Sequence, residues 1–332
     1  MSVRLIAALL ISCLWGALSC AADNYADHPA ARALVDELVR EQGFDREQLM
    51  QVFAQARRQE KILDAIARPA EKTKPWYEYR EIFLNRKREE QGLEFYTRHR
   101  DTLLRAERET GVAAEIIVAI IGVETYYGRV AGSYRVIDAL STLAFDYPRR
   151  SAFFTEELKS YLLLTRDQGF DPLQLKGSYA GAMGYGQFMP SSFLAYAVDF
   201  DGDGIIDIWN NPVDAIGSVA NYIKRHGWRS GETVVVAADV RGDVPVDWFV
   251  RNRSDLVPEH TVAAFVEAGV IPRQPLDPQA LAIAMDFELE RGLEYWLGLH
   301  NFYVITRYNH SAMYAMSVYQ LGRRLAAAMA AQ

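Results

Sequence analysis

The run Ile116–Arg129, IIVAIIGVETYYGR, constrains this chain more than any other segment, because one carboxylate interrupts an otherwise apolar stretch. Ile117, Ile120, Ile121 and Glu124 recur three and four residues apart, which predicts a helix carrying Glu124 on its buried face. A carboxylate among Ile, Val and Tyr is poorly hydrated when ionised, so burial there favours its protonated form. That is the condition for a general acid near neutral pH. A structural Glu bonded to a backbone group or to an Arg is the other reading of the same run.

At 332 residues the chain is long enough for a large core and for two or three domains. Half the residues are hydrophobic and 24% are charged, which excludes a disordered chain. A formal charge of −7 without a basic stripe speaks against nucleic acid as a partner, so an anionic substrate has to be met by local Arg or Lys. Residues 1–20 read as a signal peptide: Arg4, the apolar segment Leu5–Leu18, then small residues, too short for a stable membrane span. Cys13 and Cys20 both lie in it, so no intrachain disulfide supports the mature fold. Ala17-Leu18-Ser19-Cys20 is similar to a bacterial lipobox, in which the Cys is lipidated and becomes the mature N-terminus, although Leu is more usual where Ala17 stands. Simple cleavage near Ala21 is the alternative.

Residues 25–110 read as a helical domain. Helices are expected over 30–41, over 45–57 with Asp45 and Gln48 as a capping pair, and over 76–98 without a break. A core domain follows over 111–228. The stretches 233–240, 282–287 and 302–306 are rich in β-branched or alternating residues, and predict a small β-containing module over about 229–300. The segment 301–332 ends in a helix over 311–330 that packs back on the core. The fold class is therefore mainly α, of the α+β kind.

Between Lys176 and Ser192, KGSYAGAMGYGQFMPSS, glycines at 177, 181, 184 and 186 permit close approach of another molecule to the backbone. Ser178, Tyr179, Met183, Gln187 and Phe188 mix hydrogen-bonding groups with apolar surface, the combination that sugars require. A phosphate loop would need a following Lys-Ser/Thr pair, which is missing; a merely structural turn also accounts for the glycines.

Asp199, Asp201, Asp203 and Asp207 occupy positions 1, 3, 5 and 9 of an EF-hand-like loop, with Gly204 at position 6 and the Ile205 carbonyl at position 7. This spacing predicts a structural Ca²⁺. Position 12 departs from the pattern, since Asn210 offers a neutral amide; Asp214 can close a lengthened loop, 199–214, in its place. An acidic surface turn is the alternative.

Taken together, Glu124-Thr-Tyr-Tyr-Gly, Gly177-Ser-Tyr-Ala-Gly-Ala-Met-Gly, Gln187-Phe-Met-Pro, the Asp199 loop and Asn221-Tyr-Ile-Lys-Arg-His-Gly-Trp228 resemble the family-three lytic transglycosylases, in the same order over most of the mature chain. The resemblance implies a lysozyme-like central domain. It also implies cleavage of the MurNAc–GlcNAc β-1,4 bond of peptidoglycan glycan strands, leaving a 1,6-anhydro-MurNAc end. Glu124 then matches a single catalytic acid that later accepts the proton of the muramic C6 hydroxyl. Most glycosidases need a second carboxylate; here the substrate supplies the nucleophile.

Ser178 and Gln187 match substrate-contacting positions, and Met183 and Phe188 line the sugar site. Tyr79, Tyr127, Tyr222, Tyr303 and Tyr308 are candidates for stacking along the glycan, drawn from 18 Tyr that can equally be packing. Arg149 and Arg150 are candidates for lactyl and stem-peptide carboxylates. The expected protein is a monomer without organic cofactor, exported to the periplasm, and reaching the outer membrane only through a lipid on Cys20. Cell-wall synthesis proteins are its expected protein partners. A goose-type lysozyme, which delivers water instead, and a non-catalytic wall-binding scaffold are the competing functions.

Overall fold

The computed structural model describes residues 24–67, 74–250 and 256–331. The leader and Cys20 lie outside the described residues. Six helices come first: α1 (Pro29–Gln42), α2 (Arg46–Gln55), α3 (Glu60–Ala67), α4 (Trp76–Phe83), α5 (Arg86–Arg98) and α6 (Arg100–Thr110). Gly43, in left-handed conformation, stops α1, and the Asp45 side chain opens α2 by accepting from Gln48 N.

The unbroken helix expected over 76–98 is instead two. Asn85 begins α5 by accepting from Arg88 N at 3.0 Å, the side-chain-to-backbone bond that favours Asn at a cap over a helix interior. The break leaves α4 free to turn Trp76 onto the sheet, where its ring lies 4.9 Å from that of Phe287.

The middle of the chain forms α7 (Ala114–Thr125), β1 (Tyr134–Arg135), α8 (Val136–Asp146), α9 (Ser151–Asp167), β2 (Lys176–Gly177), α10 (Pro190–Tyr196) and α11 (Pro212–Arg225). Here α7 corrects the expectation of a one-sided helix: every residue from Ile116 to Val123 is buried. A helix apolar on all faces belongs in the interior, with other helices around it. Against it pack α5, α6, α11 and α14 (Ala312–Ala330). The approach of α14 is close enough that a Cβ on Gly322 would stand 3.3 Å from the Glu115 carbonyl oxygen.

A five-stranded antiparallel sheet completes the fold, in the order β4 (His260–Thr261), β6 (Leu281–Glu288), β7 (Leu293–Gly298), β3 (Val235–Val240), β5 (Val270–Pro272), with α12 (Val262–Glu267) after β4. Along β6, Ala282 and Ala284 face a small core with Phe265 and Val270, while Ile283, Met285 and Phe287 join the main core. This period of two buries both faces. Trp76 Nε1 also donates to Glu294 Oε1 at 2.6 Å, which ties α4 to β7.

The β-branched run 302–306 is not a strand but part of α13 (His300–Thr306). A short apolar run does not distinguish the two by itself. The buried Asn301 decides it, exchanging hydrogen bonds with Arg229 N and O at 2.9 and 2.7 Å, so the chain turns at that point.

Candidate active site

Glu124 stands at the end of α7, where the helix leaves the core, and it is half-buried rather than enclosed. The helix stops in an abrupt left-handed turn: Tyr126, Tyr127 and Gly128 have φ of 55°, 61° and 82°. Two consecutive residues with a Cβ in that region cost on the order of 1–3 kcal/mol each. Surrounding contacts hold them there. Buried Thr125 accepts from Gly128 N at 3.0 Å and donates to Tyr185 O at 2.8 Å, pinning the turn to the glycine-rich loop. Gly128 must be glycine twice over, since a Cβ would lie 2.2 Å from the Tyr185 ring.

The Glu124 carboxylate is met from α14. Ser311 caps that helix by accepting from Tyr314 N at 3.3 Å, and the Tyr314 hydroxyl donates to Glu124 Oε1 at 2.6 Å. Two more phenols stand close: Tyr308 donates to Gly186 O at 2.6 Å, and Tyr222 donates to Arg307 O at 2.6 Å. Their rings are 4.7 Å apart, and Phe188 lies 6.0 Å from Tyr308. Desolvation raises all three hydroxyls, with the Glu124 charge adding to it: Tyr222 is pushed up to about 12, Tyr308 and Tyr314 well above the usual phenol value. They therefore remain neutral donors over the whole physiological range. A half-exposed carboxyl gripped by a neutral donor can release a proton to a bound molecule and take one back.

The glycine-rich loop doubles back on itself, with Met183 and Phe188 exchanging backbone hydrogen bonds at 2.8 and 2.9 Å. Ser178 Oγ accepts from Ala180 N and Ala182 N, leaving its O–H to donate elsewhere. Gln187, at φ 51°, donates its amide to Ala131 O and Gly184 O.

Other expected residues lie differently. Met183 is fully buried within the loop and Phe188 is only 3% exposed, so neither side chain opens onto the surface. Tyr79 and Tyr127 are only 3% and 4% exposed. Tyr127 is a wedge between α5 and α7 with its hydroxyl on Arg88 O at 2.9 Å, and Tyr79 packs between Trp76 and Phe83. Tyr303 is half-buried with the Arg307 guanidinium 4.3 Å from its ring centre. Arg149 and Arg150 are exposed in a short turn after α8, Arg150 lying over Phe153 at 4.2 Å. Tyr314 is the residue that sequence reasoning missed, because on α14 it keeps the spacing of ordinary core.

In the aspartate loop, carboxylate oxygens of Asp199, Asp201 and Asp203 come within 4.8 Å of one another. Asp199 is held below the usual carboxylate range by the backbone N–H of Gly204, then those of Gly202 and Asp203. Asp207 accepts from Trp209 N and Asn210 N. Asp214 lies outside the trio: fully buried, it accepts from Phe200 N at 2.7 Å and Asp207 N at 2.8 Å, bracing the loop's base. Three convergent carboxylates suit a hard divalent cation with oxygen ligands.

Residues 26–323 match the family model described as the transglycosylase SLT domain. The chain is 46% identical over 314 residues to membrane-bound lytic murein transglycosylase B of Escherichia coli strain K12, covering 92% of this chain and 85% of that protein. It superimposes with a TM-score of 0.88 on the catenated lytic transglycosylase SltB1 of Pseudomonas aeruginosa, at 53% identity, over 92% of this chain and 99% of the other. The Escherichia coli lytic transglycosylase Slt35 in complex with calcium gives a TM-score of 0.84 at 46% identity, over 92% and 95% of the two chains.

An acid that gives up its proton becomes charged as it does so, and a donor already aimed at it stabilises that charge. Such a bond is worth about 1.5–3 kcal/mol, so Tyr314→Phe should lower Glu124-dependent kcat by about 10- to 150-fold with KM within about twofold. Steady-state kinetics with an unchanged kcat would show that the bond plays no part in turnover.

Proposed function

This chain belongs to the transglycosylase SLT domain family and is a lytic transglycosylase acting on peptidoglycan, and we propose that Glu124 is the single acid and base of its reaction. The fold is lysozyme-like, as that family requires. In this reading Glu124 protonates the oxygen of the MurNAc–GlcNAc β-1,4 bond as the bond from that oxygen to C1 of MurNAc breaks. The C6 hydroxyl oxygen of the same MurNAc then bonds to C1 and returns its proton to Glu124, leaving a 1,6-anhydro end. No water enters, so a base to activate one is not required.

The observation that carries this is the Tyr314–Glu124 hydrogen bond at the exit of α7, beside the glycine-rich loop. The free O–H of Ser178 suits an acetamido group, and Gln187, Tyr222, Tyr303 and Tyr308 are the surrounding sugar contacts in this assignment, with the buried Phe188 backing the Tyr222 and Tyr308 rings. Arg149 and Arg150 are assigned to the lactyl or peptide carboxylates.

Structural Ca²⁺ at Asp199, Asp201 and Asp203, with the Ile205 carbonyl and Asp207 completing the shell, is supported by the convergent carboxylates and by the calcium complex of Slt35. Asp214 acts from beneath. Lipidation of Cys20 would hold the protein at the outer membrane, in keeping with the membrane-bound relative; among the described residues no helix is long and apolar enough to cross a membrane.

Three measurements test these assignments. Glu124→Gln should keep its fold and glycan binding yet lose at least about 10²–10⁴-fold in turnover of purified sacculi, since an amide cannot donate the proton. Activity within a few-fold of the parent would remove Glu124 from the mechanism. Ca²⁺ should raise the melting temperature, by an amount corresponding to about 2.7 kcal/mol at 100 times the dissociation constant, and Asp203→Ala should abolish the shift. Identical melting curves with Ca²⁺ and with chelator would rule out the metal. Intact-mass analysis of the exported protein should find lipid on an N-terminal Cys20; an unmodified N-terminus beyond it would indicate a soluble periplasmic enzyme.

A further inference from the structure

Arg88, in the first turns of α5, has no place in the chemistry described so far, yet it reaches the end of α7. It is only 9% exposed, and among the described residues no carboxylate pairs with it. Its guanidinium donates through NH1 to the carbonyl of Gly122, two residues before Glu124. The same group lies over the ring of Tyr126 at 4.4 Å and that of Phe83 at 5.3 Å. Its own backbone carbonyl receives the Tyr127 hydroxyl at 2.9 Å. One residue thus grips both members of the left-handed turn, Tyr126 by stacking and Tyr127 through the main chain.

The Tyr127 side chain fits because residues 92 and 122 are glycine: a Cβ would come within 2.4 Å of its hydroxyl at the first and 2.7 Å of its ring at the second. A buried cation aimed at the last carbonyls of a helix also offsets the negative end of the helix dipole.

We propose that Arg88 is a positioning residue for Glu124, fixing the left-handed stop of α7 and through it the placement of the carboxylate against Tyr314. The inference rests on the reading of Glu124 as the acid. Without the guanidinium, the Tyr126 ring loses its stacking partner and the Gly122 carbonyl its donor, so Tyr126 is free to return to the right-handed region that residues with a Cβ prefer. The next turn would then wind on as helix, drawing Thr125 from Tyr185 O and Glu124 from Tyr314. Lysine cannot replace the group, having neither a planar face to stack nor a fork of donors. The glycine-rich loop keeps its own backbone pairing between Met183 and Phe188, so sugar binding should survive when catalysis does not.

The experiment compares Arg88→Lys, Arg88→Met and Tyr127→Phe with the parent in melting temperature, kcat and KM on purified peptidoglycan, and glycan affinity in the Glu124→Gln background. Misplacing a catalytic group by about 1 Å costs on the order of 10²-fold. Arg88→Met should therefore lose about 100-fold in kcat, and Arg88→Lys about tenfold, with KM and affinity within about twofold of the parent. Tyr127→Phe, which loses one bond of the grip, should fall between Arg88→Lys and the parent.

A kcat unchanged in Arg88→Lys and Arg88→Met would overturn the proposal. So would kcat, affinity and melting temperature falling together and equally in both variants, the mark of a merely structural residue. If Arg88→Met does not fold, the split between kcat and KM in Arg88→Lys decides. Full turnover by Glu124→Gln would defeat the reading beneath the inference; an inactive Glu124→Gln beside a fully active Arg88→Lys would defeat the inference alone.

Discussion

The burial of α7 on every side, and its sudden left-handed end, is the constraint on which the rest of this structure depends. A helix whose residues 116–123 are all buried cannot slide or rotate without opening the core, so its end is a fixed point. Glu124 is placed where that fixed point meets solvent. Three separate parts of the chain converge on it: α14 with Tyr314, the glycine-rich loop with Tyr185 O on Thr125, and α5 with Arg88 beneath the turn. The strain of two non-glycine residues in the left-handed region is concentrated beside Glu124 and offset by packing further away.

What surrounds the carboxylate follows a chemical logic. The residues the structure gathers there are phenols, Tyr222, Tyr308 and Tyr314, kept neutral chiefly by desolvation, to which the carboxylate's own charge adds. A cation in hydrogen-bonding contact would hold the carboxyl ionised and unable to act as an acid. A neutral donor fixes its orientation and favours the ionised form less strongly than a cation does. Arg88, beneath the same turn, is spent on the Gly122 carbonyl and on aromatic faces, so its charge is used for geometry.

Much of this is legible in the chain wherever the signal is local. The apolar run before Glu124, the glycines of 177–186 and the aspartate spacing of 199–207 all depend on neighbours in sequence, and each forms a compact local feature. The rest depends on approach from elsewhere. Tyr314 follows the apolar spacing of α14, and only the packing of α14 on α7 turns it from core into a partner for Glu124. Tyr127 reads in sequence as a candidate platform for sugar, because its wedge position is invisible without α5. A sign was present, since glycine inside a helix costs about 1 kcal/mol relative to Ala, and Gly92 and Gly122 both accept that cost to admit one ring. Asn85 and Asn301 ended or redirected apolar runs through bonds that periodicity does not record.

The aspartate loop and Glu124 are joined by a path of the same kind. Buried Asp214 takes the N–H of Asp207, the next carbonyl, that of Ile208, accepts from Tyr185 N at 3.0 Å, and Tyr185 O accepts from Thr125 beside Glu124. Gly184 sits so close to the Ile208 carbonyl, 2.3 Å from where a Cβ would be, that the two strands of chain cannot shift independently. Order in the loop is therefore transmitted through backbone groups in sequence, each rigid once its neighbour is. A divalent ion gathering Asp199, Asp201 and Asp203 would act on the first link of that path, which gives an acidic loop remote in sequence a mechanical bearing on the placement of a single carboxylate.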